Sequence, residues 1–329
     1  MHENKYLLIS CCAMVLFAIA VRNEKIREAA QTHTNGSVLQ TQKGIVDVDE
    51  SILMKEPSLE IRTISSTPIA AVAVPIEQKR PRPYISAESY LVGNLETGEV
   101  YINFNSSSVF PIASVSKLYT ALVVQHLMDS DKEIVITQPM LDAYGDAGRL
   151  VLDEKFTTEE LLYPLLLESS NDAAEAYAQS FGYENFMEEM NAFAKEIGLE
   201  KTSFRDASGL SPFNISNAKD LFTLTQYLYS HEEDILKISR TVDFDMATTS
   251  DHQSHHFVNI NPYSKNSSFI GGKTGRTDEA KESMISLFKQ KIGPQTYPIA
   301  IIILRSEFAE REIDTGKLLD MFVEKMEKR

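Results

Sequence analysis

Phe110-Pro-Ile-Ala-Ser-Val-Ser-Lys-Leu-Tyr-Thr-Ala-Leu-Val-Val-Gln-His-Leu-Met128 carries a Ser-x-x-Lys step, Ser114 to Lys117, at the head of a long apolar run. From Ala113 onward the residues are good helix formers with an apolar face, and Pro111 is a start signal. Residues three apart share one face of a helix, so Ser114 and Lys117 meet near the positive end of its dipole. Ser116 points elsewhere. A serine hydroxyl becomes an effective nucleophile only beside a base, and a desolvated lysine near other cations can lose its proton and serve as that base. The plain alternative is an N-capping serine with a surface lysine. The apolar sequence after Lys117 favours chemistry, because an idle cation there is costly.

The chain around this stretch has 329 residues, 43% hydrophobic and 24% charged, an ordinary globular composition with room for one large domain or two smaller ones. A net charge of -15 argues against nucleic acid as a partner. Both cysteines, Cys11 and Cys12, lie in the N-terminal apolar run, which leaves no disulfide framework and no cysteine metal site. His252, His255 and His256 cluster without a carboxylate or cysteine at ligand spacing, and read as a solvated loop rather than a zinc site.

Tyr6 to Val21 is unbroken apolar sequence, so residues 1–22 read as a membrane anchor, or as a signal peptide cleaved near Ala18-Ile-Ala20. Lys5 precedes the run and Arg22, Lys25 and Arg27 follow it, a balance that opposes export of the C-terminal part. The chemistry inferred below requires export and overrides it. Residues 23–83 lack periodicity, are rich in Thr, Ser, Gln and Glu, end in several prolines, and read as a flexible stalk.

From Tyr84 to Arg329 the pattern is that of a folded domain. Tyr90 to Asn94 and Val100 to Phe104 flank Glu96-Thr-Gly-Glu99 as a hairpin. After the Ser114 helix come a short strand at 134–137, helices at 158–167 (capped by Thr157 or Thr158), 172–181, 184–197, 216–230 and 232–239, and strands at 257–260, 269–274, 283–289 and 298–304. A final amphipathic helix covers 310–328. Ile299-Ala-Ile-Ile-Ile-Leu304 is apolar on both faces, as a central strand is. The order predicts an α+β fold, an antiparallel sheet gathering strands from both chain ends, flanked by helices, with a helical subdomain.

Two further motifs follow. Leu165-Leu-Leu-Glu-Ser-Ser-Asn-Asp-Ala-Ala174 joins two helices, and Ser170 or Asn171 by itself reads as an N-cap. Phe269-Ile-Gly-Gly-Lys-Thr-Gly-Arg-Thr277 is a strand whose Gly275 allows another backbone to approach closely. Taken in order, Ser-x-x-Lys, Ser-x-Asn and Lys-Thr-Gly form the trio of penicillin-binding proteins and class A β-lactamases. With the flanks Pro111-Ile-Ala-Ser-Val-Ser-Lys-Leu118, Asp206-Ala-Ser-Gly-Leu210 and Gly272-Lys-Thr-Gly-Arg-Thr-Asp278, the stretch from Tyr84 to Arg329 resembles the low-molecular-mass penicillin-binding proteins, the D-alanyl-D-alanine carboxypeptidases of serine peptidase family S11.

The resemblance implies a penicillin-binding protein/β-lactamase-like domain and a serine acyl-enzyme acting on peptidoglycan stem peptides that end in D-Ala-D-Ala. Ser114 is then the nucleophile and Lys117 its base. Ser169 relays a proton to the leaving group. Asn171 binds the substrate amide and orients Lys117, and Lys273 adds positive potential. Thr274 hydrogen-bonds the terminal carboxylate, backbone N–H groups of Ser114 and Arg276, beyond Gly275, form the oxyanion hole, and the Arg276 and Arg311 side chains assist carboxylate recognition. No metal or organic cofactor is needed, β-lactams are inhibitors, and the N-terminal segment ties the enzyme to the outer side of the cell membrane, or is cleaved to release it. A class A β-lactamase is disfavoured because no Glu-x-x-Leu-Asn loop lies between the second and third motifs. A D,D-endopeptidase of the same family remains, favoured slightly by His256-Phe-Val-Asn-Ile-Asn261, as does a catalytically inactive wall-binding module. Many relatives carry a second, C-terminal β domain and an amphipathic C-terminal anchor, whereas this sequence ends soon after its last predicted helix.

Overall fold

The computed structural model describes residues 83–145 and 147–329, all within one compact unit, Glu77–Arg329. The anchor and stalk expected at 1–22 and 23–83 lie outside the described residues, apart from the last stalk position. Among the described residues, no helix is long and apolar enough to cross a membrane.

The centre is a five-stranded antiparallel sheet in the order β2-β1-β11-β10-β9. Its strands are β1 (Ser89–Asn94), β2 (Val100–Phe104), β9 (Phe269–Thr277), β10 (Lys281–Ile292) and β11 (Gln295–Ser306). The predicted hairpin forms because Asn94 Oδ1 accepts from the N–H groups of Glu96 and Thr97, each at 2.9 Å, closing the turn between β1 and β2. β11 alternates as an apolar strand covered on both faces does. Ile299, Ile301 and Ile303 pack with Leu318 and Phe322 of the final helix, α8 (Arg311–Glu327). Ala300, Ile302 and Leu304 face the helical block. Burying Phe322 in this layer is worth roughly 2 kcal/mol.

On that other face sit α1 (Ser116–Leu127), α3 (Leu162–Leu167), α4 (Asn171–Phe181), α5 (Tyr183–Glu196), α6 (Ala218–His231) and α7 (Glu233–Arg240), with the one-turn α2 (Gln138–Leu141) between α1 and α3 in the chain. Every residue of α1 from Ser116 to Val124 is buried, so this helix runs through the core rather than along a surface. Short pairs tie the loops: β3 (Phe110–Pro111) with β6 (Ile215–Ser216), and β4 (Glu133–Val135) with β5 (Lys155–Thr157).

Three sequence expectations change. The helix of the first motif begins at Ser116, because Ala113–Val115 forms a 3₁₀ turn entered through Ala113 at φ 50°. Thr157 and Glu160 do form a reciprocal cap: Glu160 N–H donates to Thr157 Oγ1 at 3.2 Å, and Thr157 N–H donates to Glu160 Oε2 at 2.7 Å. The residues after it stay a turn until Leu162. The histidine segment is not a solvated loop. It is part of a hairpin, β7 (Asp243–Met246) with β8 (His255–Val258). His252 and His255 are buried against Phe156, with ring centroids 4.9 and 5.4 Å away. Their Nε2 atoms lie 3.6 Å from Glu160 and 3.1 Å from Glu154, carboxylates about a hundred positions earlier that local spacing does not reveal. Only His256 is exposed, beside Asp245 at 2.7 Å. No group of three or more histidine, cysteine or acidic side chains suited to a metal occurs among the described residues.

Asp314 of α8 joins the two ends of the domain. Fully buried, it accepts hydrogen bonds from the N–H groups of Ser86 and Ala87, from Ser86 Oγ at 2.6 Å and from Ser306 Oγ at 2.7 Å. Replacing it strands several buried donors, each costing about 1–3 kcal/mol. Asp314→Ala is therefore expected to lower the unfolding free energy by about 3 kcal/mol, read as an earlier denaturant midpoint. An unchanged midpoint would show that this clasp contributes little.

Candidate active site

Ser114 stands on the 3₁₀ turn and Lys117 one turn into the core. A 3₁₀ turn brings residues i and i+3 into line, so their meeting survives the late helix start. Lys117 is completely buried, and its Nζ lies 3.0 Å from Ser114 Oγ, 2.7 Å from Asn171 Oδ1 and 2.5 Å from the Ser208 carbonyl oxygen. All three partners are neutral. Burial drives the lysine down to about 7, and the charge of Asp206 only partly opposes this. Asn171 Oδ1 and the Ser208 carbonyl are pure acceptors. When Lys117 is neutral its two N–H bonds satisfy those two, and its lone pair is left facing the one partner that can donate, the Ser114 hydroxyl.

The loop that supplies the Ser208 carbonyl is built by Asp206. Its carboxylate accepts from the backbone N–H groups of Ser208, Gly209 and Ser211 and from Asn214 Nδ2. Gly209, at φ +89°, has no room for a side chain: a Cβ there would stand 2.2 Å from the Ala113 oxygen and 2.4 Å from Ser116 Oγ. The loop thus presses directly on the Ser114 turn. Ser116 Oγ donates to the Ala113 carbonyl at 2.8 Å, away from Lys117.

The second motif arrives from the junction of α3 and α4. Ser170 is the N-cap, its Oγ accepting from Ala173 N–H at 3.1 Å, which leaves Asn171 to project into the site. Asn171 Oδ1 takes Lys117 and its Nδ2 donates to the Tyr144 carbonyl at 2.6 Å. Ser169 has φ 65°, a strained value for serine, and its hydroxyl forms no hydrogen bond among the described residues. Glu168 holds this turn. Its carboxylate accepts from Gly148 N–H, Val258 N–H and Arg149 Nη2, each at 3.0 Å.

β9, an edge strand of the sheet, brings the third motif. Lys273 is buried, and its Nζ donates to the Thr274 carbonyl at 3.0 Å. Burial lowers it well below the ordinary lysine range, and repulsion from Lys117 and Arg311 adds to this. Thr274 is buried beside it. Gly275 is pressed against the Ser114 turn: a Cβ would stand 2.8 Å from the Ile112 oxygen, 2.9 Å from Val115 N and 3.0 Å from Ser114 N. Arg276 is exposed and its guanidinium lies 5.0 Å from the centroid of Phe308. Arg311 Nη1 donates to the Gly275 carbonyl at 3.2 Å, with Glu282 at 3.9 Å. The structure therefore joins Ser114, Lys117 and Asn171 directly and sets Gly275 against the Ser114 turn. It leaves Ser169 without a hydrogen bond to either lysine. The Ser208 and Tyr144 carbonyls escaped sequence reading because they are backbone atoms. Asp206 stood in a flank of the trio without a role, and Glu168 in a motif where serine and asparagine drew attention.

Residues 76–302 match the family model described as D-alanyl-D-alanine carboxypeptidase. A D-alanyl-D-alanine endopeptidase of Escherichia coli K12 is 29% identical over 260 residues, covering 72% of this chain and 80% of that protein. The carboxypeptidase DacF of Bacillus subtilis 168 is 30% identical over 243 residues, 71% of this chain and 61% of its own length. The fold resembles that of a crystal structure of a D-alanyl-D-alanine carboxypeptidase from Mycobacterium tuberculosis H37Rv, with TM-score 0.67 at 23% identity over 75% of this chain and 94% of that one. It also resembles penicillin-binding protein D2 of Listeria monocytogenes in its cefotaxime-bound form, with TM-score 0.63 at 28% identity over 74% and 99%.

Gly275→Ala must push the Ser114 turn away from β9. Acylation of the protein by a fluorescent penicillin is expected to slow at least about tenfold, or about 1.4 kcal/mol of barrier, with the circular dichroism spectrum kept. Wild-type acylation by this variant would mean that the close approach has no part in the chemistry.

Proposed function

The chain belongs to the D-alanyl-D-alanine carboxypeptidase family, the low-molecular-mass penicillin-binding proteins of serine peptidase family S11, and we propose that it removes the terminal D-Ala from peptidoglycan stem peptides through an acyl-enzyme on Ser114. The observation that carries this reading is the buried Lys117, whose one partner able to donate a proton is the Ser114 hydroxyl.

In the proposed reaction Ser114 Oγ attacks the carbonyl of the penultimate D-Ala while Lys117 accepts its proton. The backbone N–H groups of Ser114 and Arg276 receive the developing oxyanion. The C–N bond breaks and the amine of the leaving D-Ala takes the proton back from Lys117 by way of Ser169. Water then attacks the ester, with Lys117 again as base, and restores the free serine. Asn171 fixes Lys117 through Oδ1 and keeps one Nδ2–H for the substrate amide. Thr274, Lys273 and the two arginines Arg276 and Arg311 suit the terminal carboxylate. Two buried lysines do not both hold a charge comfortably. A carboxylate beside Lys273 restores the proton there, and the resulting cation favours neutral Lys117, so substrate binding prepares the base. No step calls for a metal or organic cofactor.

Relatives of this family act on the cell wall, and β-lactams mimic the same dipeptide. We read Tyr6 to Val21 as the segment that holds the domain at the outer face of the cell membrane. The endopeptidase reading draws support from the segment His256–Asn261, whose Val258 N–H donates to Glu168 Oε1.

Two outcomes test the reading. Ser114→Ala is expected to abolish both D-Ala release from diacetyl-Lys-D-Ala-D-Ala and covalent labelling by a fluorescent penicillin, and a variant that still labels would remove Ser114 as nucleophile. The acylation rate of the native protein is expected to fall as pH drops through about 7, since protonated Lys117 cannot accept the serine proton. A rate flat from pH 5 to 9 would contradict this role for Lys117.

A further inference from the structure

β9 is one of the two edge strands of the sheet. A peptide laid antiparallel on it, with its scissile carbonyl at Arg276 N–H, sets its leaving residue opposite Thr274 and continues toward Gly272. That path is closed. Gly272 N–H already donates to Ser239 Oγ at 3.1 Å, and a Cβ on Gly271 would stand 2.8 Å from the same oxygen. Any substrate longer than the leaving residue must turn off the sheet edge here.

What it meets is β8 and the two residues that follow it. His255, Phe257 and Asn259 point inward, while His256, Val258 and Ile260 point out, with Val258 46% and Ile260 53% exposed. This outward row is stitched to both walls of the site. Val258 N–H donates to Glu168 Oε1 and Ile260 N–H to the Leu167 carbonyl, both at 3.0 Å. Asn259 Nδ2 donates at 2.8 Å to the carbonyl of Ser239, the residue that closes the edge at Gly272. At the far end of the row Arg149 is held through one nitrogen, Nη2, to Glu168 Oε1 and to the His256 carbonyl at 2.6 Å, with 59% of its side chain exposed. Glu168 is itself shared with two backbone N–H groups, so the rest of the guanidinium faces the cleft. Arg149, Glu168, Ser254, His256 and Val258 line that one cleft.

We propose that this cleft is a leaving-side subsite. It takes the aliphatic stem of a leaving diamino acid on Val258, and Arg149 pairs with a carboxylate carried further along the same chain. Its occupant is the acceptor strand of a D,D-crosslinked peptide, a substrate that a lone leaving D-Ala does not need and that the apolar row and the arginine together match. The chemistry is the hydrolysis described above, with the crosslink amine in place of D-Ala as leaving group. The inference rests on the D,D-peptidase reading and extends it to the part of the substrate beyond the broken bond.

The full chain is tested on two substrates, diacetyl-Lys-D-Ala-D-Ala and a purified D,D-crosslinked muropeptide dimer. For Arg149→Gln and for Val258→Ser, the ratio of kcat/KM on the dimer to kcat/KM on the tripeptide is expected to fall about tenfold, and Arg149→Lys to retain part of it. Penicillin acylation of each variant reports whether Ser169 and Asn171 stay in place. An unchanged ratio, or equal loss on both substrates together with slowed acylation, would overturn the subsite. A native protein that cleaves the tripeptide but never the dimer would also overturn it and leave the peptidase reading standing, whereas cleavage of neither would remove both.

Discussion

Burying an ammonium group without a counter-ion is costly, and Lys117 is buried with three neutral partners. The cheapest escape is to give up the proton, and the rest of the site is arranged around that outcome. Helix α1 runs through the core, so its first turn starts in a dry environment. The Asp206 loop brings the Ser208 carbonyl, and Tyr144 holds Asn171 so that its oxygen faces the lysine. With both acceptors supplied, the lone pair has one direction left, toward Ser114.

The sheet serves the same end from its other side. β9 carries Lys273 and presses Gly275 against the Ser114 turn, while β1 and β11 bind the beginning of the domain to its end. Asp314 completes that closure by drawing Ser86, Ala87 and Ser306 onto α8. The Ser114 turn is therefore clamped between two elements far apart in sequence, the Gly209 loop and the Gly275 strand. Strain at Ala113, at positive φ, sits where the Gly209 loop presses closest.

Much of this was legible in the residues. Ile299 to Leu304 announced a strand covered on both faces, and Glu96-Thr-Gly-Glu99 announced the hairpin beside it. The three motifs reported their side chains because chemistry depends on residue type at fixed spacing. Less legible was anything that depends on long-range geometry. The carbonyls of Ser208 and Tyr144 have no residue signature. The pairing of His252 and His255 with Glu160 and Glu154 spans about a hundred positions, so the cluster looked unpartnered. The outward row His256, Val258, Ile260 alternates as any edge segment does, and gains meaning only beside Glu168. The late start of α1 left the meeting of Ser114 and Lys117 intact, since three-residue spacing works in either kind of turn.

The central claim is that Lys117 is a neutral base under working conditions. Carbon-13 NMR of the protein labelled at lysine Cε, with the Lys117 signal assigned through Lys117→Arg, measures this directly. A signal that titrates near pH 7, far below the roughly 10.4 of an ordinary lysine, would support the account. A Lys117 that keeps its proton up to about pH 10 would contradict it, because a charged lysine cannot take the proton of Ser114.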